Sequence, residues 1–551
     1  MNRARRSTLA LAAAALAAAG AAFLSLAACE REAHDPLAVA MSTKGRAPGN
    51  VEAAVPAPCY AMTSGGANGC WVCHTVGRPP NTLSDADLQR EYAFSEYARQ
   101  NRWANLFAAR PAEVDATSDE EILAYVRQDN YEPLRRALAG RKEYPGFAPD
   151  LDLDAGFDEA GFARDGSGWR AVRYKPFPGS FWPTNGGAGD VYVRLPAPFR
   201  ADAAGKPSGD VYRLNLALLE AAVASPEAIP IGDAPADPAI RGRQVEPVSE
   251  ILAGFDLDGD GGLSAAATVI RRLPAHYAGG AAGAAVRAGL YPRGVELLHP
   301  VRYLDPDSPT LAARRMKELR YARKVEELDS WGLNRARERE ADEKDEGHAP
   351  RYTGGPEVGL KNAFGWQLQA FIEDARGRLR LQTEEEHRAC MGCHGSLGVT
   401  VDHTFSLARK VPGADGWRPQ DLRGMPDAPL VGHADPEGLV YLRRLGGGDE
   451  YGGNQEMLAR FFPGGALDER EARRAGPGGD RDLLHLVAPS RERALLLDKG
   501  YRALVKTQRF DLGRDPMLGP APRAHRLVEG GSTGLGEANR VYLDGRLHLA
   551  W

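Results

Sequence analysis

The sequence predicts a multi-domain α+β protein in which two mainly helical regions flank a mixed α/β central region. Three observations predict it. The chain has 551 residues, enough for roughly three domains of ~150 residues each. A short pattern, "GCWVCHT" at 69–75, returns as "ACMGCHG" at 389–395, with 317 positions between Cys73 and Cys390. Helix signals stand beside each copy, and the span between them mixes strand, loop and helix patterns.

The chain opens with Arg3, Arg5 and Arg6, continues through an Ala/Leu run and reaches small residues before Cys29. That order is an export signal, residues 1–28, rather than a domain. Leu26-Ala27-Ala28-Cys29 resembles the lipobox of bacterial lipoproteins, which implies cleavage before Cys29 and lipidation of its thiol. Glu30 follows, where the inner-membrane retention signal of that class has Asp, so the outer membrane is favoured. The expected location is the periplasmic side of a bacterial envelope, with the membrane touched through the lipid anchor only. No other stretch approaches the ~18 apolar residues needed to span a bilayer.

Composition beyond the signal is that of a globular protein, with 43% apolar and 26% charged residues. Removing residues 1–28 takes away three arginines and no acid, which moves the formal net charge from −5 to −8. An acidic balance argues against nucleic acid as a partner.

Six cysteines are too few for a disulfide scaffold in an exported chain of this size. Cys29 is assigned to lipid, and Cys70, Cys73, Cys390 and Cys393 belong to the two repeats; Cys59 has no assigned role. With 12 His in 551 residues, chance places His after both Cys-x-x-Cys pairs roughly 1 time in 2000. A structural zinc site needs no such histidine. A thioredoxin-like pair would not come twice with one. Cys-x-x-Cys-His is the attachment sequence of c-type haem, with two thiols bonded to the macrocycle and His74 or His394 as iron ligand. On a helix, positions i, i+3 and i+4 share a face, so all three groups can meet one edge of the ring.

Local patterns support each element. Thr383-Glu384-Glu385-Glu386 is a capping box directly before Cys390, and "WQLQAFIEDARGRLRLQ" ahead of it predicts a hairpin turning near Asp374–Gly377. "SDEEILAYVR" (118–127) begins with a capping box from Ser118 to Glu121 and carries an apolar stripe. With the first Cys-x-x-Cys-His it resembles a small class I cytochrome c domain over about residues 58–130, which implies electron transfer by one covalent haem. The resemblance departs at residues 75–117, which hold no Met, His, Lys or Cys to act as the distal ligand. The sixth position is then open or is filled from elsewhere, by Met62, Cys59, His276 or His299. For the second haem the choices downstream are His403, Met425, His433, Met457 and His485. Gly424-Met425-Pro426 resembles the loop that presents the axial Met of class I cytochromes.

In the centre, 190–195 predicts a strand and "GDVYRLNLALLEAAVA" (209–224) a helix. "FDLDGDGGLSAAA" (255–267) sets Asp256, Asp258 and Asp260, with Ser264 downstream, at calcium-loop spacing. It departs from an EF-hand at Ala267, where a bidentate Glu is expected. Residues 311–346 carry mixed charges at helical spacing and predict a solvent-facing helix. "PSRERALLLDKGYRALVKTQRF" (489–510) predicts a helix capped by Ser490, its apolar residues expected over the second haem.

The expected organisation is therefore a signal peptide (1–28), a flexible linker (29–57), an N-terminal haem c domain (58–145) and a mixed α/β region with the calcium-like loop (146–310). A charged helical segment (311–350) and a C-terminal haem c domain (351–551) complete it. The expected function is one-electron transfer by an exported, lipid-anchored dihaem cytochrome c between redox protein partners. Two alternatives stand beside it: a dihaem peroxidase-like oxidoreductase with a five-coordinate iron, and a calcium-dependent interaction protein.

Overall fold

The computed structural model describes residues 34–62, 73–74, 94, 96–178, 188–224, 229–233, 239–395, 397–405, 407–445, 451–528 and 548–551. Cys29 and Cys70 lie outside the described residues.

A nine-stranded antiparallel sheet organises the chain. Its strands are β1 (Arg170–Val172), β2 (Ala188–Gly189), β3 (Val191–Arg194), β6 (Glu296–Leu304), β7 (Ala312–Lys324), β8 (Thr353–Gly355), β9 (Gly359–Lys361), β10 (Trp366–Glu373) and β11 (Leu379–Leu381). The spatial order is β1-β3-β6-β7-β10-β9-β8, with β2 on β6 and β11 on β10. A separate pair, β4 (Arg243–Val248) and β5 (Ala267–Ile270), brackets the Asp-rich loop. Seven helices enter the argument: α1 (Asp119–Val126), α2 (Gly209–Ala224), α3 (Ser330–Asp345), α4 (Glu384–Met391), α5 (Glu437–Leu445), α6 (Gln455–Phe461) and α7 (Arg491–Thr507). Among the described residues no helix is long and apolar enough to cross a membrane.

This corrects the expected fold class. Among the described residues no mainly helical cytochrome-like region stands apart from the sheet. From the first such region, Ile122, Tyr125 and Val126 of α1 are buried against Tyr303, Ala313 and Ile372 of the sheet and Leu504 of α7. From the second, β10 lies between β7 and β9 as an interior strand. Apolar stripes on α1 and α7 are as consistent with covering a sheet as with closing a helical haem domain, and sequence periodicity cannot tell the two apart. The face of α7 accordingly packs on α1 and the sheet.

Two further expectations change. The charged run 311–346 divides, because 312–324 is the central strand β7 and only α3 is helical. Four charges of β7, Arg315, Lys317, Glu318 and Lys324, are buried, Arg315 pairing with Glu373 (3.0 Å) and Lys324 with Asp402 (2.7 Å), whereas Arg314, Arg323 and most charges of α3 are solvent-facing as expected. Residues 34–57, expected as a flexible linker, pack on the body. Leu381 donates its N–H to the Pro36 carbonyl (2.7 Å), and Glu385 accepts from the N–H groups of Gly49 and Asn50 (3.1 and 2.7 Å).

Several local expectations hold. Helix α2 spans 209–224, β3 falls within 190–195, and β10 and β11 form the hairpin with Gly377 donating to the Asp374 carbonyl. The N-caps Ser118, Thr383 and Ser490 each accept a backbone N–H, and Thr383 with Glu386 makes the full reciprocal box.

Candidate functional site

Helix α4 carries the second Cys-x-x-Cys-His and is fastened to the sheet from below. His387 accepts the N–H of Ala370 on β10 at Nε2 (2.9 Å), and its Nδ1–H donates to the Thr383 carbonyl (3.0 Å). Burial pushes its pKa down to about 4, so the ring is neutral and both nitrogens are committed. Arg380 of β11 makes a bidentate bond to Glu386 (2.9 Å each), a geometry that fixes direction as well as charge. A Cβ on Gly392 would lie 1.6 Å from the carbonyl oxygen of Ala54, so only glycine allows this turn to close on the N-terminal segment.

Cys390, Cys393 and His394 follow from that anchor, each half-buried. His394 donates Nδ1–H to the carbonyl of His403 (3.0 Å), since a carbonyl can only accept. This fixes the tautomer and leaves Nε2 as a lone-pair donor, the state an iron-binding imidazole requires. Asn362 donates to the His394 carbonyl (2.9 Å). Burial lowers the His394 pKa to about 4 and raises the Cys393 thiol to about 11. The residues present thus fit a covalent haem c at this motif: two thiols and a neutral, oriented imidazole beside one helix.

The loop that holds His394 is itself braced. Asp402 and His403 both adopt left-handed backbone conformations (φ 48° and 61°). Lys324 contacts both Asp402 oxygens (2.7 and 2.8 Å), Tyr291 donates its N–H to Asp402 (3.0 Å), and His403 stacks on Phe364 at 3.7 Å. His403 turns its Nδ1–H back to the Gly395 carbonyl (2.9 Å). Its backbone therefore sits behind His394, on the Nδ1 side, which makes it a support for that ring.

The first motif converges on the second. Val399 donates its N–H to the Cys73 carbonyl (3.2 Å), and Cys73 packs on a cluster that holds Phe177, Val399, Leu430, Tyr441 and Phe405. Phe405 in turn stands edge-on to the His394 ring, centroids 5.9 Å apart. His74 is half-buried. Beside this cluster lies a buried charge network: Lys175 with Asp427 (3.0 Å) and Glu437, and Arg409 with Glu437 (2.6 Å). None of the four described cysteines, Cys59, Cys73, Cys390 and Cys393, is in a disulfide.

Met425 and Met457 are buried in a separate core formed around α5 and α6 with Leu439, Leu442 and Phe461. His485 faces Glu471 at 3.1 Å. His276 and Met62 are exposed, and Met62 donates its N–H to the Arg523 carbonyl (2.7 Å). His433 follows Leu430 of the Cys73 cluster by three residues.

At the Asp-rich loop, Asp256 accepts from Gly259 and Gly261 (2.7 and 3.1 Å), Asp258 from Asp260 (3.1 Å) and Asp260 from Gly262 (2.7 Å). Ser264 donates its N–H to Glu250 (2.7 Å). Glu250 is fully buried and also accepts from Leu257 (2.7 Å) and Asp258 (3.0 Å). Its carboxylate meets those of Asp256 and Asp258, one oxygen from each within 4.8 Å of the others. Burial raises the Asp258 pKa, and the neighbouring carboxylates of Glu250, Asp260 and Asp256 add to the rise. Sequence reasoning placed the missing acid at position 12, whereas the fold supplies one from six residues upstream of Asp256, where no loop motif would place it.

Residues 43–431 match the model of a protein family whose description reads "-like lipoprotein". An uncharacterized lipoprotein of Aquifex aeolicus (strain VF5) is 32% identical over 528 residues, covering 85% of this chain and 86% of the relative. No solved structure matches the chain.

Proposed function

The chain belongs to this lipoprotein family, and on that premise we propose that it is an exported dihaem cytochrome c that carries single electrons at the cell envelope. The observation that carries the reading is convergence. Two Cys-x-x-Cys-His motifs 317 positions apart meet through the Val399–Cys73 hydrogen bond and the ring of Phe405. Two unrelated structural motifs have no reason to be neighbours, whereas two electron carriers do.

Haem c would supply a reversible one-electron couple at each motif, tuned by ligation and burial. The chain's own residues do the rest. His394 presents Nε2 because His403 holds Nδ1, while Cys390 and Cys393 would hold the group through their thiols. Leu430, Tyr441 and Phe405 exclude water around Cys73, and a drier surrounding lowers the reorganisation that each transfer requires. Cys29 would tether the protein through lipid, and Glu30 supports the outer membrane as its address. Calcium at Asp256, Asp258 and Glu250 is a second element of the proposal, a cation that would relieve three crowded carboxylates.

The test is a spectroelectrochemical titration of the purified lipoprotein. Two one-electron steps with c-type haem absorption are expected; a colourless protein would end the reading.

A further inference from the structure

The sheet face beneath α4 mixes apolar and charged positions, and along β7 it presents Glu318, Arg320, Ala322 and Lys324. On that face β6, β7 and β10 bring Leu297, Ala322 and Leu368 into one row, which belongs to the apolar core under α2. The next row along the strands is His299, Arg320 and Ala370. A histidine and an arginine in the middle of a buried sheet face are costly unless something there uses them.

His299 is prepared in the same way as His394. Its Nδ1–H donates to the Asp190 carbonyl (2.6 Å), so Nε2 carries the lone pair. A Cβ on Gly189 would lie 2.5 Å from His299 Cε1, so the β2 backbone closes against that edge of the ring and sets its direction. Arg320 beside it is bonded to Glu318 (2.8 Å), yet 37% of its side-chain surface is accessible. His299, Cys390, Cys393 and His394 are likewise only half-buried. Helix α4 lies over this row: His387 accepts the N–H of Ala370 (2.9 Å), and Cys390 packs on the cluster that holds Leu297, Ala322 and Leu368.

Two of the alternatives for the distal position are committed elsewhere. Met425 is in the α5/α6 core, and His403 lies behind His394. We infer that His299 Nε2 is the sixth ligand of the haem attached at Cys390 and Cys393, facing His394 Nε2 across the space between sheet and helix. The inference rests on the dihaem reading above. It makes the second centre a bis-histidine, low-spin haem, in place of the His/Met centre that the Gly-Met-Pro loop suggests.

The experiment compares the holoprotein with its His299→Ala and His299→Met variants by low-temperature EPR and near-infrared magnetic circular dichroism, haem per chain being counted in each. His299→Ala is expected to keep two haems and convert one low-spin ferric signal to high-spin, with imidazole restoring it. His299→Met is expected to gain a sulfur-to-iron charge-transfer band and to raise the potential of that centre. Retention of every low-spin signal in His299→Ala, at two haems per chain, overturns the inference and leaves the dihaem reading intact. Fewer than two haems in the unaltered protein overturns the reading itself. Should His299→Ala not accumulate, the near-infrared spectrum of the unaltered protein decides. Loss of a bis-histidine band when Cys390 and Cys393 are replaced by Ala supports the assignment, and loss of a His/Met band refutes it.

Discussion

The backbone N–H of Val399 lies 3.2 Å from the carbonyl of Cys73, tying the first Cys-x-x-Cys-His to the loop five residues after the second. Neither motif can shift without the other. Phe405, packed with the Cys73 cluster and edge-on to His394, is the side-chain counterpart of this bond. Phe405→Ala should cost about 3 kcal/mol, the range for removing a large aromatic from a packed site. It should also change the spectrum of the centre at His394 while haem content stays at two. Chemical denaturation and EPR of the same preparation check both parts.

The glycine inside the second motif is a sharper probe of attachment. Because a Cβ on Gly392 would meet the Ala54 carbonyl at 1.6 Å, Gly392→Ala must push α4 away from the N-terminal segment. Intact-mass analysis should show loss of haem at Cys390 and Cys393 with the first haem kept. An Ala variant that retains both haems would show that the 54–57 segment does not position this motif.

Lys324 and Asp402 form a buried pair, 1% exposed each, at the root of the His394 loop. Lys324→Met leaves a buried carboxylate without its cation, which should destabilise the protein by about 3–5 kcal/mol. Combining it with Asp402→Asn should recover part of that loss, as a double-mutant cycle in denaturant would measure.

Glu373 provides a pH signature. It is fully buried, bonded to Tyr303, Tyr125 (2.8 Å) and Arg315 (3.0 Å), and burial raises its pKa to about 7 against the pull of Arg315 and the two tyrosines. The folded state therefore holds a proton that the unfolded state has released between about pH 4.5 and 7. This contribution to stability is full below the unfolded pKa and is lost as pH rises through that window, on the order of 3 kcal/mol in all. Glu373→Gln should flatten that part of the stability profile. An unchanged slope would mean that Glu373 is ionised throughout.

Glu250 closes the Asp-rich loop by accepting three backbone N–H groups. Glu250→Gln should lower stability by about 2 kcal/mol, the scale of losing charged acceptors. Excess calcium should raise the melting temperature of the unaltered protein and not that of the variant. Equal shifts in both would place any bound calcium elsewhere.

What the sequence disclosed was local. The capping box of α4, the Ser118 and Ser490 caps, the β10–β11 hairpin and helix α2 all rest on residues within a few positions of each other. The Cys-x-x-Cys-His triplets are likewise self-contained. What it concealed depends on distant pairing. Residues 312–324 read as a surface helix because their charges recur every three or four positions. Their partners, Glu373 and Asp402, are 58 and 78 residues away, and only the sheet brings them together. His299 stands in the sequence only as one of four possible ligands of the first haem, until strand register sets it beside Arg320 under the second motif. Glu250 is equally silent, because its value lies in backbone groups that the loop turns toward it.

The central claim is that this lipoprotein carries two covalent haems at adjacent motifs, and intact-mass spectrometry of the mature protein with pyridine haemochrome quantification tests it most directly. Two haems per chain are expected, reduced to one by Cys73→Ala or by Cys393→Ala alone. A mature chain with one haem or none, or with a metal ion at the cysteines in their place, would contradict it.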